Sequence, residues 1–154
     1  MFRAYAAGAW LAASVSAAAA SPAAEVVPAP RLRAYVARTI DGLVSHPAFA
    51  DPAAKTMVVR RDGPGEVEVH DRLNDVLVAQ AGTAILRVGG RVAGGRETAP
   101  GEHRGGTIVG GRSRALHAGD VAWIPAGLPH QLIVKRGGSF IYVVVKTDKA
   151  ARSR

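Results

Sequence analysis

Two histidines and one carboxylate are the residues whose types suit joint chemistry. His70 ends the run EVEVH, Asp75 begins DVLVAQ, and His130 begins HQLIVK. Imidazole and carboxylate groups together suit Zn, Fe, Mn, Ni or Cu. The three residues belong to three separate predicted strands. They can form one site only if the fold brings three strand faces together, as the interior of a closed barrel does.

Arg72 changes the chemistry that this group can do. It lies two residues after His70, so the alternation of a strand predicts that both share one face. A guanidinium is permanently charged and cannot be an ordinary metal ligand.

Three interpretations stay open. In the first, His70, Asp75 and His130 hold a divalent metal, while Arg72 turns aside or binds an anionic co-ligand. In the second, no metal binds and Arg72 grips a carboxylate or a phosphate. In the third, Arg72 and Asp75 form a buried salt bridge and the histidines are polar core residues.

Short strands must position these side chains. After Asp51, β-branched runs of about four to eight residues alternate with Gly, Pro, Asn and Asp. Ala81-Gly82 is a hairpin signal between two runs, and Gly94–Gly111 is predicted to be a loop with one short strand, Thr107–Val109. Many short strands in succession indicate a sandwich or a small barrel. The runs are TMVVR, EVEVH, DVLVAQ, TAILRV, TIVGG, DVAWIP, HQLIVK and SFIYVVVK.

The N-terminal part has a different pattern. Apolar residues recur at three- and four-residue steps from Arg31 to His46 and predict one amphipathic helix, which Pro47 ends, so the N-terminal helix is assigned to 31–50. Further upstream, Arg3, an uncharged alanine-rich stretch and Ala18-x-Ala20 have the layout of a secretory signal peptide. We therefore expect a signal peptide over 1–20, a linker over 21–30, a barrel over 55–147 and a flexible tail over 148–154. The expected location is secreted or periplasmic, with no stable membrane span after processing.

Composition excludes several classes of site and partner. The chain has 154 residues, no cysteine and a formal net charge of +8. Without cysteine there are no disulfides, thiolate zinc sites, iron–sulfur clusters or cysteine nucleophiles. The arginines are scattered rather than clustered on one element, which argues against a nucleic-acid partner.

One stretch resembles a known family. Gly119 to His130 reads GDVAWIPAGLPH, with the spacing G, five residues, P, one residue, G, two residues, H. This resembles the second conserved motif of the cupins, although Val134 stands where the family has a terminal Asn. The upstream stretch VHDRLNDVLVAQAG resembles the first motif, with His70 at the first histidine, Asp75 at the acidic position and Gly82 after six intervening residues. Arg72 replaces the second histidine there.

The resemblance covers roughly Lys55 to Lys146 and carries expectations about fold and function. It implies an all-β fold, a single cupin jelly-roll-like β-barrel with one N-terminal α-helix, and a homodimer. It also implies binding of a small polar molecule, through a divalent metal held by His70, Asp75 and His130 or, alternatively, in a metal-free module where Arg72 holds an anionic group. An enzyme of this kind would be a metal-dependent oxygenase, isomerase or lyase.

Overall fold

The computed structural model describes residues 24–49 and 54–149. The predicted signal peptide 1–20, the first residues of the predicted linker and residues 150–154 of the predicted tail lie outside the described residues. Within the described part, no helix is long and apolar enough to cross a membrane.

Strands make up most of the described chain, with one short helix near its start. This confirms the predicted fold class. The elements in chain order are α1 Ala29–Tyr35, β1 Leu43–Phe49, β2 Ala54–Arg61, β3 Glu68–His70, β4 Leu73–Val88, β5 Arg91–Ala93, β6 Arg96–Ala99, β7 Glu102–Arg104, β8 Thr107–Val109, β9 Arg112–His117, β10 Val121–Ile124, β11 His130–Ile133 and β12 Phe140–Asp148.

The long strand β4 organises the barrel. Its first half pairs with β12 and β10, and its second half pairs with β9 and β11. The strand order of the main sheet is β1-β2-β12-β4-β11-β3-β7-β6, all antiparallel, with β9 and β10 also on β4. Because β4 belongs to both halves, the sheet curls and encloses one interior.

Gly82 marks the division of β4 into its two halves. Its φ is +76°, and a Cβ there would lie 1.9 Å from the carbonyl oxygen of Ser139. Only glycine fits a left-handed backbone this close to another chain segment. The predicted hairpin at Ala81-Gly82 is therefore wrong: the strand continues through the glycine.

The predicted helix over Arg31–His46 is also wrong in extent. The helix ends at Tyr35, and the chain turns at Asp41 and Gly42, both with positive φ. Leu43–Phe49 is instead a strand that pairs with β2 at the edge of the sheet. Pro47 is tolerated there because an edge strand need not donate every backbone hydrogen bond.

The glycine-rich stretch Gly94–Gly111 is more regular than predicted. The expected strand Thr107–Val109 is present and pairs with β5. The stretch also contains β6 and β7, which form a hairpin against β3.

The core lies inside the curled sheet. The buried apolar side chains come from alternate positions of the strands, as the period of two requires. They are Val59, Leu77, Ala79, Ala84, Leu86, Leu116, Ile124, Leu132, Val134, Phe140, Tyr142 and Val144.

Candidate functional site

His70 lies at the end of β3 with its side chain inside the barrel. It is only 2% exposed. The chain bends directly after it, at Asp71 and Arg72, and the Asp71 N–H donates to the carbonyl of Gly101 at 2.9 Å. The strand alternation therefore stops at His70 and does not extend to Arg72.

Arg72 is consequently not part of this cluster. It is exposed, and it is not among the residues that line the barrel cavity. In the described part of the chain, Asp75 forms its ion pair with Lys146, and the Nε2 atoms of the two buried histidines lie 3.5 and 3.7 Å from it. The predicted shared face of His70 and Arg72 and the predicted Arg72–Asp75 salt bridge are both wrong, and nothing places Arg72 where it could hold an anion in the cavity.

The other three predicted site residues do come together. Asp75 at the start of β4 and His130 at the start of β11 are both buried. The Nε2 of His70 lies 3.5 Å from Asp75 Oδ2, and the Nε2 of His130 lies 3.7 Å from the same oxygen. The two imidazole rings are 5.3 Å apart between centroids. Three strands thus bring two imidazoles and a carboxylate to one point.

Lys146 on β12 is a member of this cluster that sequence reasoning missed. Its Nζ donates to both oxygens of Asp75, at 2.8 and 2.7 Å, and lies 2.8 Å from His70 Nε2. The alternation of SFIYVVVK contained the signal. Phe140, Tyr142 and Val144 point inward, so the next alternate residue, Lys146, does too.

Glu68 is the second missed member. It lies two residues before His70 on β3, so the pair of inward side chains on that strand is Glu68 and His70 rather than His70 and Arg72. One oxygen accepts from Arg61 at 3.0 Å and the other lies 3.4 Å from Arg104. Burial raises the pKa of Glu68, but its hydrogen bond with His70 and the charges of Arg104, His130 and Arg61 outweigh burial and lower the pKa to about 2. Glu68 is therefore a carboxylate at neutral pH.

Only one proton can lie between Nε2 of His70 and Nζ of Lys146. Burial lowers the pKa of His70, but hydrogen bonding to Asp75 and Glu68 outweighs it and raises the pKa to about 9. An imidazolium and an ammonium cannot both donate across the 2.8 Å between them, so one proton lies between Nε2 and Nζ. The geometry opposes the raised pKa of His70, because Nζ lies 2.8 and 2.7 Å from the oxygens of Asp75 whereas Nε2 lies 3.5 Å away, so Nζ–H donates and His70 Nε2 accepts. The Nδ1–H of His70 then donates to Glu102 at 2.6 Å.

His130 is neutral and correctly oriented for coordination. Burial lowers its pKa more than the nearby carboxylates raise it. Its Nδ1 lies 3.0 Å from the carbonyl oxygen of Leu128, which can only accept. The proton is therefore on Nδ1, and the lone pair of Nε2 faces Asp75 Oδ2. Asp75 Oδ2 also accepts from Lys146 Nζ at 2.7 Å, so a cation already stabilises this pair of facing acceptors.

The residues present fit a divalent metal by donor type. The ligand atoms of Glu68, His70 and His130 all lie within 4.8 Å of one another. Two imidazoles and a carboxylate form a ligand set that first-row metals accept, and both histidines have an oxygen partner on Nδ1 that orients Nε2. One of these ligand atoms, His70 Nε2, is already in contact with Lys146 Nζ.

A cavity of about 220 Å³ opens onto this cluster. Its walls are partly aliphatic, and its polar residues include three cations, Arg61, Arg104 and Lys146, against two carboxylates, Glu68 and Asp75. The volume is below the several hundred Å³ typical of sites for drug-sized ligands. The remaining lining residues are Leu43, Ser45, Met57, Val59, Leu77, His130, Leu132, Tyr142 and Val144.

The chain is similar in structure to several solved proteins. The TT1209 protein from Thermus thermophilus matches with a TM-score of 0.59 and 20% identity over 82% of this chain and 100% of that one. A conserved protein with a double-stranded β-helix domain from Klebsiella pneumoniae matches with a TM-score of 0.59 and 17% identity over 81% of this chain and 90% of that one. KdgF from Halomonas sp. matches with a TM-score of 0.51 and 15% identity, over 73% and 86% of the two chains.

Sequence comparison adds no relative: no protein-family model and no curated protein sequence matches the chain. The structural likenesses show the fold alone, because their identities are low. That fold is the double-stranded β-helix barrel, which confirms the fold that the cupin resemblance of GDVAWIPAGLPH implied. The described residues form one barrel of this fold, with a buried Glu68–His70–His130 cluster that could hold a metal ion.

Proposed function

We propose that this protein binds a small organic anion in the barrel cavity, next to a divalent metal held by Glu68, His70 and His130. The observation that carries the proposal is the convergence of two oriented imidazoles and a carboxylate, of which Glu68 and His130 line the cavity. Glu68 replaces Asp75 in the predicted ligand set, because both oxygens of Asp75 already accept from Lys146. A divalent ion there would polarise a carbonyl or carboxylate oxygen of the ligand.

The choice of an anion rests on the cavity walls. Arg61 and Arg104 both contact Glu68 and both line the cavity, so they can contact a second carboxylate from the other side. A guanidinium has five N–H donors, so one carboxylate partner does not use all of them. The aliphatic wall, for example Leu77 and Leu132, suits a short hydrocarbon part of the same ligand.

The first test is metal content. Untagged protein from the native host should contain close to one equivalent of a first-row metal by elemental analysis, and His130→Ala should lose it while keeping its circular dichroism spectrum. A wild-type protein that is metal-free after isolation and takes up none on titration would remove the metal from the proposal.

The second test is ligand class. A thermal-shift and calorimetric screen should compare small mono- and dicarboxylates with the corresponding amides. We expect carboxylates alone to stabilise the protein and Arg61→Gln to abolish the effect. Arg60→Gln is the matched control, since Arg60 is the adjacent residue on β2 and its side chain pairs with Asp62 instead. Equal responses to acids and amides would contradict the proposal.

A metal-free binding module is the second candidate, favoured by the contact of Lys146 with His70 Nε2. The same two experiments separate the candidates, because this module retains carboxylate binding when no metal is bound. A stoichiometric redox-active metal would in turn favour turnover by a metal-dependent oxygenase, isomerase or lyase over binding alone.

We also propose that the protein is exported to the periplasm or the medium and forms a homodimer. Export is supported by the layout of residues 1–20. Dimerisation is supported by Val121 and Trp123, which are 65% and 58% exposed on β10. Light scattering of the wild type should give the dimer mass and Trp123→Glu the monomer mass; a monomeric wild type would contradict this.

A further inference from the structure

The ammonium of Lys146 lies beside Asp75 and His70, at the position that a cation from solution would otherwise take. Its ammonium has three hydrogens and three acceptors at hydrogen-bond distance: Oδ1 and Oδ2 of Asp75 and Nε2 of His70. The side chain is 12% exposed and that of Asp75 4% exposed. A buried carboxylate needs a cation close by, and Lys146 supplies it from within the chain.

The strand register holds this arrangement in place. Lys146 on β12 is the direct cross-strand partner of Asp75 on β4, within a ladder that runs from Phe140 to Asp148. A shift by one residue would turn every inward side chain of β12 outward. The position of the ammonium is therefore a consequence of the folded sheet and not of a mobile surface side chain.

The ammonium and a metal ion make incompatible demands on the same atoms. A metal held by Glu68, His70 and His130 needs the lone pair of His70 Nε2, which at present lies 2.8 Å from Lys146 Nζ. This holds whichever of the two nitrogens carries their shared proton. A divalent ion bonded to Nε2 would also be repelled by an ammonium at that distance.

We propose that Lys146 is an internal cation that competes with the divalent metal for His70 and keeps Asp75 out of its coordination. The inference rests on the proposed function, because it concerns the same metal site. Metal binds the native chain only when Nζ leaves His70, and the cavity that Lys146 lines gives the side chain room to move. Lys146 thereby sets the affinity of the site and limits its protein ligands to three.

The experiment compares metal affinity in three proteins after removal of metal with a chelator. The wild type, Lys146→Met and Lys55→Met are titrated with Zn²⁺ and with Mn²⁺ by calorimetry, and metal content is measured after dialysis. Lys55 is the matched control: it is the cross-strand neighbour of Lys146 on β2, it is exposed, and its replacement removes the same charge. We expect Lys146→Met to bind at least about tenfold more tightly than the wild type, which is the size of one hydrogen bond to a charged group. Lys55→Met should match the wild type.

The outcomes separate this inference from the proposed function. Equal affinities of the wild type and Lys146→Met would overturn the inference and leave the metal site standing. Uptake by Lys146→Met alone would support the inference and remove the metal from the native protein. An absence of metal in every variant would overturn both. If Lys146→Met does not fold, the double variant Asp75→Asn/Lys146→Met removes both charges of the pair and is judged by the same criteria.

Discussion

The buried partner of Asp75 can be identified by comparing two cations, Lys146 and Arg72. One of the three interpretations of the sequence makes Arg72 that partner, whereas the structure has Lys146 at 2.7 Å and Arg72 exposed. Replacing each cation in turn therefore tests the site geometry. We expect Lys146→Met to destabilise the metal-free fold strongly and Arg72→Ala to leave it nearly unchanged.

The magnitude follows from burial. Lys146→Met leaves a carboxylate that is 4% exposed without its closest cation, and breaking a buried pair in this way costs about 3–5 kcal/mol. The lower end of that range applies here, since His70 is 3.5 Å from Asp75 and can take up the proton that Lys146 no longer supplies. An exposed substitution such as Arg72→Ala stays within about 0.5 kcal/mol.

The measurement is urea unfolding followed by circular dichroism, in the presence of a chelator so that metal does not compensate. Asp75→Asn should restore part of the lost stability when added to Lys146→Met, because the uncompensated charge is then gone. A neutral Lys146→Met, or a loss in Arg72→Ala as large as in Lys146→Met, would refute the assignment of Lys146 as the partner of Asp75.

Three further predictions concern Gly82 in the middle of β4, the stability of the fold at acid pH and the processing of the N-terminus. In urea unfolding, Gly82→Ala should lower the free energy of unfolding by about 3 kcal/mol or more, and Gly137→Ala by only about 1 kcal/mol. Both glycines have a φ of +76°, but only at Gly82 would a Cβ collide with Ser139. Equal losses of stability in the two variants would contradict this prediction. Glu68 has a pKa of about 2 instead of 4.5, so it stabilises the fold above pH 4.5 and loses that contribution as the pH falls towards 2. With chelator present, the free energy of unfolding should drop by on the order of 3 kcal/mol over that range, and less in Glu68→Gln; parallel curves would count against it. Mass spectrometry of protein from the native host should show the loss of about twenty N-terminal residues, and a full-length product would exclude processing.

Much of the architecture could be predicted from the order of the residues. Alternating β-branched runs predict strands, and glycines and prolines mark their ends, because these preferences are local. The motif Gly119–His130 indicated the barrel. His70, Asp75 and His130 belong to three separate predicted strands, and a barrel brings such strands around one interior. The predictions of a hairpin at Ala81-Gly82 and of a long N-terminal helix were wrong for one reason. Tertiary contacts, of Gly82 with Ser139 and of β1 with β2, override the local sequence preferences.

The sequence by itself determined an all-β chain with His70, Asp75 and His130 on three separate strands, since strand periodicity depends only on neighbouring residues. The tertiary structure alone decided which charges meet them. Lys146 is 71 residues from Asp75 along the chain, and only the β4–β12 register places them opposite each other. Arg72 is three residues from Asp75, yet the bend after His70 directs it to solvent. Contacts between distant segments depend on strand pairing, and strand pairing is a property of the whole sheet.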